Sequence, residues 1–447
     1  MPIQIDGIVS GLNTSAMINA MVGVYSLPRD SLVTDIANTE KTKEAIAGVM
    51  NRLDAIDEAV EDIEDEDDFK VYKADYEETD AFKVTTESGA IPGNYSIQVN
   101  TLATSELEVS QGFDDKASTG VVATGEFVVR YGDESTTLTI DSSNSSLTDL
   151  ASLIDDIDGL SAYVLDTGAE SEQYKLVVQG EDTGEDNAIS FSSVGLTGAG
   201  TVPSFTEQRT AGNAEIEING ITVTDSDNDF GDAIPGLDIE ILQTSTSAEN
   251  VTVSLDKEAI ESNVNAILSA YNDVISYIDS KQSYNADLGI KGPLVGESTV
   301  NRVIRGIQSV VKSDYTSAAD DITSLALMGI TTSTDGTLSL DSDDFGDALD
   351  TYLDDVVAMF TDDDGFGAAM RDQVDVYTDS VDGTLKSFKS SLEGRIDDME
   401  DQVSDYNYRI TRYESRLRQQ FSAMESLLGG MQGTSNYMSS YLGGQSK

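Results

Sequence analysis

Carboxylates are the one reactive group this chain offers in quantity. It carries 82 Asp and Glu against 26 Lys and Arg, with no His and no Cys. Two facing carboxylates could act as the acid and base of glycoside hydrolysis. At this density close pairs arise by chance, and none sits in a recognisable catalytic setting. Ser-His and Cys-His nucleophiles, a His base, imidazole or thiolate metal sites and disulfides are excluded outright. The sequence therefore predicts no enzyme: no catalytic residue, no cofactor site and no metal-ligand set.

Two acidic motifs bear on that expectation. Asp225-x-Asp227-x-Asp229 resembles the first half of an EF-hand loop. Such a loop needs Gly at its sixth position and Glu at its twelfth, where this chain has Phe230 and Gly236. It reads as a solvated acidic loop with at most weak cation binding. Asp362-Asp363-Asp364-Gly365 reads as a turn before the last helix. Tyr406, Tyr408 and Tyr413 fall on or near a helical seam and do not form a base-stacking platform.

The net charge is -56 over 447 residues. Such a chain repels nucleic-acid backbones and anionic membrane surfaces. Like charge at this level destabilises the folded state, and salt screens the cost, so a saline setting is expected. No apolar run reaches the ~18 residues of a membrane-spanning helix, and Met1–Ser10 lacks the features of a cleaved secretory signal.

The elements that must position any functional surface are helical at both ends. A helix reads from Ser15, with Asn13 and Thr14 as cap candidates and Ile18, Met21, Val22 and Tyr25 on one face. Pro28 predicts a restart, because proline is tolerated in a first helical turn and not inside a helix. In the next helix Ile46, Val49, Leu53, Ile56, Val60 and Ile63 step by three and four, the spacing of a heptad seam. The acidic run Glu64–Asp68 ends it. Residues ~100–255 alternate in the manner of strands, interrupted by a short helix at Leu147–Ile157. Helical texture returns at 256–280 and 298–311. An irregular segment with a turn at Thr334-Asp335-Gly336-Thr337 follows. The last helix, 370–430, carries Leu385, Phe388, Leu392, Ile396, Met399, Val403, Tyr406, Ile410, Tyr413, Leu417, Phe421, Met424, Leu428 and Met431. It has stutters at Leu392–Ile396 and Leu417–Phe421, and its end is expected at Gly429-Gly430 or shortly after, followed by a short apolar tail of Tyr437, Met438, Tyr441 and Leu442 before Gly443-Gly444.

A single seam cannot bury itself, so these helices are expected to bundle. The fold class is α+β and multidomain, a long terminal coiled-coil or helical-bundle stalk with inserted β-rich head domains. The expected domains are 1–45 with 405–447, a terminal helical domain; 46–68 with 256–404, a helical leg; 69–110 with 205–255, a β-rich head; and 111–204, an inserted β-rich head.

The order of short motifs along this plan resembles the flagellar filament cap family (hook-associated protein 2, FliD). Gly7-Ile8-Val9-Ser10-Gly11-Leu12-Asn13-Thr14 resembles its opening, and Asn94-Tyr95-Ser96-Ile97-Gln98-Val99 with Leu102-Ala103 the close of its N-terminal region. The block at 127–191 is similar to a module shared by flagellins and hook-associated proteins. Ile218-Asn219-Gly220-Ile221, Ile234-Pro235-Gly236-Leu237, Ala270-Tyr271-Asn272, Asp335-Gly336-Thr337-Leu338 and Arg416–Glu425 extend the match. The extreme acidity and the Asp-dense region 343–365 depart from it.

The resemblance implies a structural protein outside the cell at the distal tip of the filament. It implies a ring-like, pentamer-like homo-oligomer that promotes insertion of exported flagellin and prevents its leakage. Partners would be other copies of the chain, flagellin, and the flagellar export apparatus with its chaperone, with no nucleic acid and no membrane insertion. Export would follow the flagellar type III route without a cleaved signal peptide. The candidate filament and oligomer interface is the set of helical seams: Ile18, Met21, Val22, Ile46, Val49, Leu53, Ile56, Val60, Ile410, Tyr413, Leu417, Phe421, Met424 and Leu428. Two other readings stand beside it. One is a different axial protein, such as flagellin or a hook–filament junction protein. The other is an adhesin, as the main role or a secondary one.

Overall fold

The computed structural model describes residues 11–77, 79–231, 233–285, 289–315 and 321–443. Gly7-Ile8-Val9-Ser10 of the opening motif and Gly444 of the tail lie outside them. The chain divides into two compact units, Met1–Glu66 with Glu261–Lys447, and Asp67–Ile260. The first is helical and built from both ends of the sequence. The second is β-rich.

The described helices are α1 (Thr14–Glu61), α2 (Glu66–Phe69), α3 (Leu147–Asp155), α4 (Lys257–Gln282), α5 (Ser298–Val311), α6 (Ser342–Thr351), α7 (Leu353–Thr361), α8 (Phe366–Thr378) and α9 (Thr384–Gly443). Asn13 caps α1 by accepting the Ala16 N–H at 2.8 Å, which satisfies one of the free donors at a helix start. Pro28 does not restart the helix, contrary to the expectation from sequence, because α1 runs through it. The missing N–H would have met the carbonyl of Val24, which sits on an exposed stretch where water can replace it. The Ser26 hydroxyl also donates to the neighbouring Gly23 carbonyl at 3.0 Å.

The last helix differs from its predicted bounds at both ends. Residues 379–383 interrupt it: the Asp379 carboxylate accepts from the N–H groups of Val381 and Asp382 at 2.8 and 2.9 Å, a local turn that competes with the helix. At the far end Gly429 and Gly430 do not stop α9, which continues to Gly443. Glycine costs about 1 kcal/mol per helical position relative to alanine but does not forbid the helix.

The Asp-dense region is also helical rather than irregular. Asp341 caps α6, accepting from the N–H groups of Asp343 and Asp344 at 3.1 and 3.2 Å. Phe345 and Leu349 of α6, and Val356, Met359 and Phe360 of α7, are buried. Among the aspartates of the two helices only Asp355 is buried with them, so the rest cover the solvent side of a short amphipathic pair.

The β unit holds two cores. Around the first, five strands run in the order Tyr72–Asp75, Glu249–Leu255, Gly93–Thr101, Ala214–Ile218 and Ile221–Asp225, and Phe82–Thr86 pairs with Leu237–Ile241. Ile97, Val99, Ile216, Val251, Phe82 and Ile239 fill it. Asn219-Gly220 links two of these strands with φ of 52° and 81°, the doubly left-handed turn that suits a two-residue hairpin. Around the second core, one sheet orders Phe205–Arg209, Leu107–Ser110, Tyr174–Gly180 and Leu160–Asp166, and another Glu134–Ile140, Gly125–Tyr131 and Ile189–Leu196. Helix α3, held by a Ser146–Asp149 capping box, adds Leu147, Leu150 and Ile154 to Phe127, Leu176 and Val178.

Candidate functional site

The helical unit is organised by the pairing of α1 with α9. Tyr25 stacks on Tyr413 with ring centroids 4.5 Å apart, and Arg29 donates to the Asn407 side-chain oxygen at 3.3 Å. Advancing along α1 while retreating along α9 makes the pair antiparallel. Ile18 is buried and Val22 half-buried on α1; Ile410 and Leu417 are buried and Tyr413, Phe421, Met424 and Leu428 half-buried on α9. The predicted seam of α9 is therefore the face turned inward. Met21 lies at the edge of that contact, 41% exposed.

Toward the other end of α1, Ile46, Val49, Leu53, Ile56 and Val60 are fully buried. Helices α8 and α9 pack against α1. The Arg371 guanidinium of α8 reaches Asp57 of α1 at 3.0 Å and also pairs with Glu64. Arg52 of α1 lies over the Tyr277 ring of α4, 3.8 Å from its centroid. In the single chain these five seam residues are thus occupied by its own helices.

What remains open is apolar and lies on α9 beyond that pairing and on the outward side of α1. With the register set by Tyr25–Tyr413 and Arg29–Asn407, residue 11 falls about level with residue 426 of α9. Past that point Leu427, Met431 and Met438 follow steps of four and seven and are 67%, 64% and 58% exposed. On α1, Met17, Met21 and Val24 form an outward stripe of the same texture, all exposed. The α9 series read from the sequence already reaches Met431; the helix end expected near the double glycine separated Met438 from it.

The charge distribution sets this end apart. Residues 1–45 and 405–447 together hold eight acidic and eight basic side chains, so the whole -56 resides in residues 46–404. Four of the basic groups, Arg409, Arg412, Arg416 and Arg418, lie within three turns of α9. Arg418 bonds Glu414 one turn back at 2.7 Å, and Arg409 and Arg412 lie against the rings of Tyr406 and Tyr408.

The EF-hand-like run is folded back on itself. Asp227 accepts the Asp229 N–H at 2.8 Å, and Asp229 accepts the Gly231 N–H at 3.1 Å. A hydrogen bond shared with Asp229, followed by burial, holds the Asp238 carboxyl above its ordinary value. No helix among the described residues is long and apolar enough to cross a membrane.

The architecture and the family comparison agree. The family described as flagellar hook-associated protein 2, N-terminus, matches residues 10–106, and its C-terminus matches residues 211–433. The chain belongs to the flagellar hook-associated protein 2 family, FliD. It is 24% identical over 398 residues to the B-type flagellar hook-associated protein 2 of Pseudomonas aeruginosa, covering 83% of each chain. It is 25% identical over 460 residues to the flagellar hook-associated protein 2 of Escherichia coli O157:H7, covering 97% of this chain and 96% of that one. Among solved structures it resembles the D1-D2-D3 domains of the flagellar cap protein FliD from Escherichia coli, with a TM-score of 0.65 and 24% identity over 78% of this chain and 99% of that one. That likeness supports an α+β multidomain fold with a helical unit drawn from both termini.

Proposed function

We propose that this chain is a structural cap at the distal tip of a bacterial flagellar filament. It acts as a ring-like homo-oligomer that promotes insertion of exported flagellin and prevents its leakage. It performs no catalysis. The chain leaves the cell through the flagellar export apparatus, with a chaperone and without a cleaved signal peptide. Segments 1–45 and 405–447 form the domain that meets the filament, 46–68 with 256–404 the leg, and 69–110 with 205–255 and the inserted 111–204 the head.

The observation that carries the reading is the pairing of open apolar stripes with charge balance at the helical ends. Apolar surface released from water drives association. Segments of net zero charge can approach other subunits without the repulsion that the remaining -56 would impose. Met17, Met21 and Val24 on α1, with Leu427, Met431 and Met438 on α9, are the residues that would meet neighbours. Ile46 to Val60 act indirectly, by holding the leg together.

The test is complementation of a strain lacking the gene. The wild-type chain restores filaments. A Leu427→Asp, Met431→Asp double variant, melting as the wild type does when purified, leaves few or no filaments and monomeric flagellin in the medium. Full filaments with that variant would refute the proposed surface. Normal filaments in the deletion strain, with only attachment lost, would support the adhesin reading instead.

A further inference from the structure

The strand Leu107–Ser110 turns a polar face toward the second β core. Glu108 stands opposite Val178 on one side and opposite Glu207 on the other. Its side chain thus shares a face with Val178, which belongs to that core. Glu106, two residues earlier, lies on the same face. Glu106 is 4% exposed and Glu108 9%, whereas Glu207 is exposed. Carboxylate oxygens of the three lie within 4.8 Å of one another.

Their partners are unequal. Glu106 accepts the Ile189 N–H at 3.0 Å, and Glu207 accepts from the Thr210 hydroxyl. Glu108 Oε2 is buried and takes no hydrogen bond. No Lys or Arg among the described residues forms an ion pair with any of the three. Arg209, on the strand of Glu207, gives its guanidinium to the Ser105 carbonyl and hydroxyl at 2.7 and 2.9 Å.

Like charges directly opposite across a strand pair are destabilising. A buried carboxylate oxygen without a partner adds its desolvation cost. One proton neutralises one carboxylate of three, whereas a divalent cation offsets two charges and satisfies several oxygens at once. Carboxylate ligands select hard cations. Ca²⁺ holds its ligands at about 2.3–2.6 Å in irregular geometries, whereas Mg²⁺ demands a near-ideal octahedron at about 2.0–2.1 Å. Oxygens bound to one Ca²⁺ lie no farther apart than about twice those lengths, so the three carboxylates are close enough to share one ion. The exposed Glu207 gives the ion a way in and leaves room for water ligands.

We propose that Glu106, Glu108 and Glu207 bind one divalent, oxygen-preferring cation, Ca²⁺ ahead of Mg²⁺, which ties Phe205–Arg209 to Leu107–Ser110. Consistent with this geometry, burial and then the charges of Glu106 and Glu207 push the Glu108 carboxyl up to about 7 when no ion is bound.

The experiment uses the full chain, stripped with a chelator, in about 1 M NaCl to suppress diffuse binding to the acidic surface. CaCl2 and MgCl2 are titrated calorimetrically into the wild type, Glu108→Gln and the exposed-site variant Glu207→Gln, and each protein is melted with and without Ca²⁺. The wild type should show one saturable Ca²⁺ step, at least about tenfold tighter than its Mg²⁺ step, with a rise in melting temperature. Both variants should lose the step and the rise. No saturable step in the wild type, or its retention in both variants, overturns the proposal. So does a stripped Glu108→Gln that melts above a wild type indifferent to Ca²⁺, because the cluster would then be neutralised by a shared proton alone.

Discussion

The side-chain amide of Asn272 exchanges two hydrogen bonds with the backbone of Leu338: Nδ2 donates to its carbonyl at 2.8 Å, and Oδ1 accepts its N–H at 2.7 Å. The preceding Tyr271 donates its hydroxyl to the Gly336 carbonyl at 3.2 Å. These contacts join α4 to the hairpin of Ile330–Thr332 and Leu338–Leu340 across 66 and 65 residues of chain. Two short motifs that look unrelated in sequence, Ala270-Tyr271-Asn272 and Asp335-Gly336-Thr337-Leu338, are thus halves of one contact.

Asn272→Ala should destabilise the chain by about 1–3 kcal/mol, the cost of leaving part-buried backbone groups unpaired. Asn272→Asp should not rescue it, because a carboxylate cannot donate to the Leu338 carbonyl. Chemical denaturation of the three proteins at one salt concentration checks both outcomes. A variant within about 0.3 kcal/mol of the wild type would show that the pairing does not stabilise the fold.

Leu53→Ala and Met431→Ala should behave oppositely. Leu53 is fully buried in the seam of α1, and truncation there should cost about 2–5 kcal/mol. Met431 is largely exposed, so its truncation should leave stability within about 0.5 kcal/mol. Thermal melting of the purified chains separates the two residues, and filament formation in cells should respond to both.

Limited proteolysis should respect the register of α1 with α9. Residues 14–45 pack against α9 through Ile18, Tyr25 and Arg29. Residues 431–440 of α9 are exposed throughout. Early cuts should therefore fall between 429 and 443, a stretch that also contains Gly429, Gly430 and Gly433. Mass spectrometry of the first fragments reads the result. Equally early cutting between 14 and 45 would show that the pairing opens readily.

Stability should rise with salt. At about 0.01 M the screening length is ~30 Å and at 1 M ~3 Å, so the repulsion within residues 46–404 fades across that range. The charge-balanced ends should contribute little to the change. Melting temperatures from about 0.01 to 1 M NaCl provide the test. A flat or falling series would remove the saline reading without touching the cap proposal.

Stability of the chelated chain should also fall as pH climbs from about 5 to 8. The folded state holds the Glu108 proton up to about 7, against an ordinary 4.5. Below 4.5 both states are protonated there; between 4.5 and 7 only the folded state is, so raising pH removes stability until the folded group ionises. The carboxyls held below their ordinary values, such as Asp115, Asp141, Asp335 and Asp379, act at lower pH. Melting wild type and Glu108→Gln at pH 5 and pH 8 should show a decline that the variant lacks.

The sequence by itself determined the helical ends, the β-rich middle and the inward face of α9, because each is written in local periodicity. Steps of three and four hold one face of a helix whatever it packs on, and Ile410, Leu417 and Phe421 turn inward as that spacing requires. The absence of His and Cys is likewise a property of the sequence alone. Only the tertiary structure decided the rest. Pro28 and Gly429-Gly430 weaken a helix locally, but whether it ends there depends on the hydrogen bonds and packing around them. Ile46 to Val60 and Leu427 to Met438 show one texture in sequence, yet the first set is enclosed by the chain's own helices and the second is open, a difference set by where α1 begins relative to α9. At Glu106-Leu107-Glu108-Val109 alternation is plain, but period two does not say which face is the core. The fold turned the carboxylates inward and brought Glu207 across from them, because strand register, and not residue type, assigns a strand its buried side.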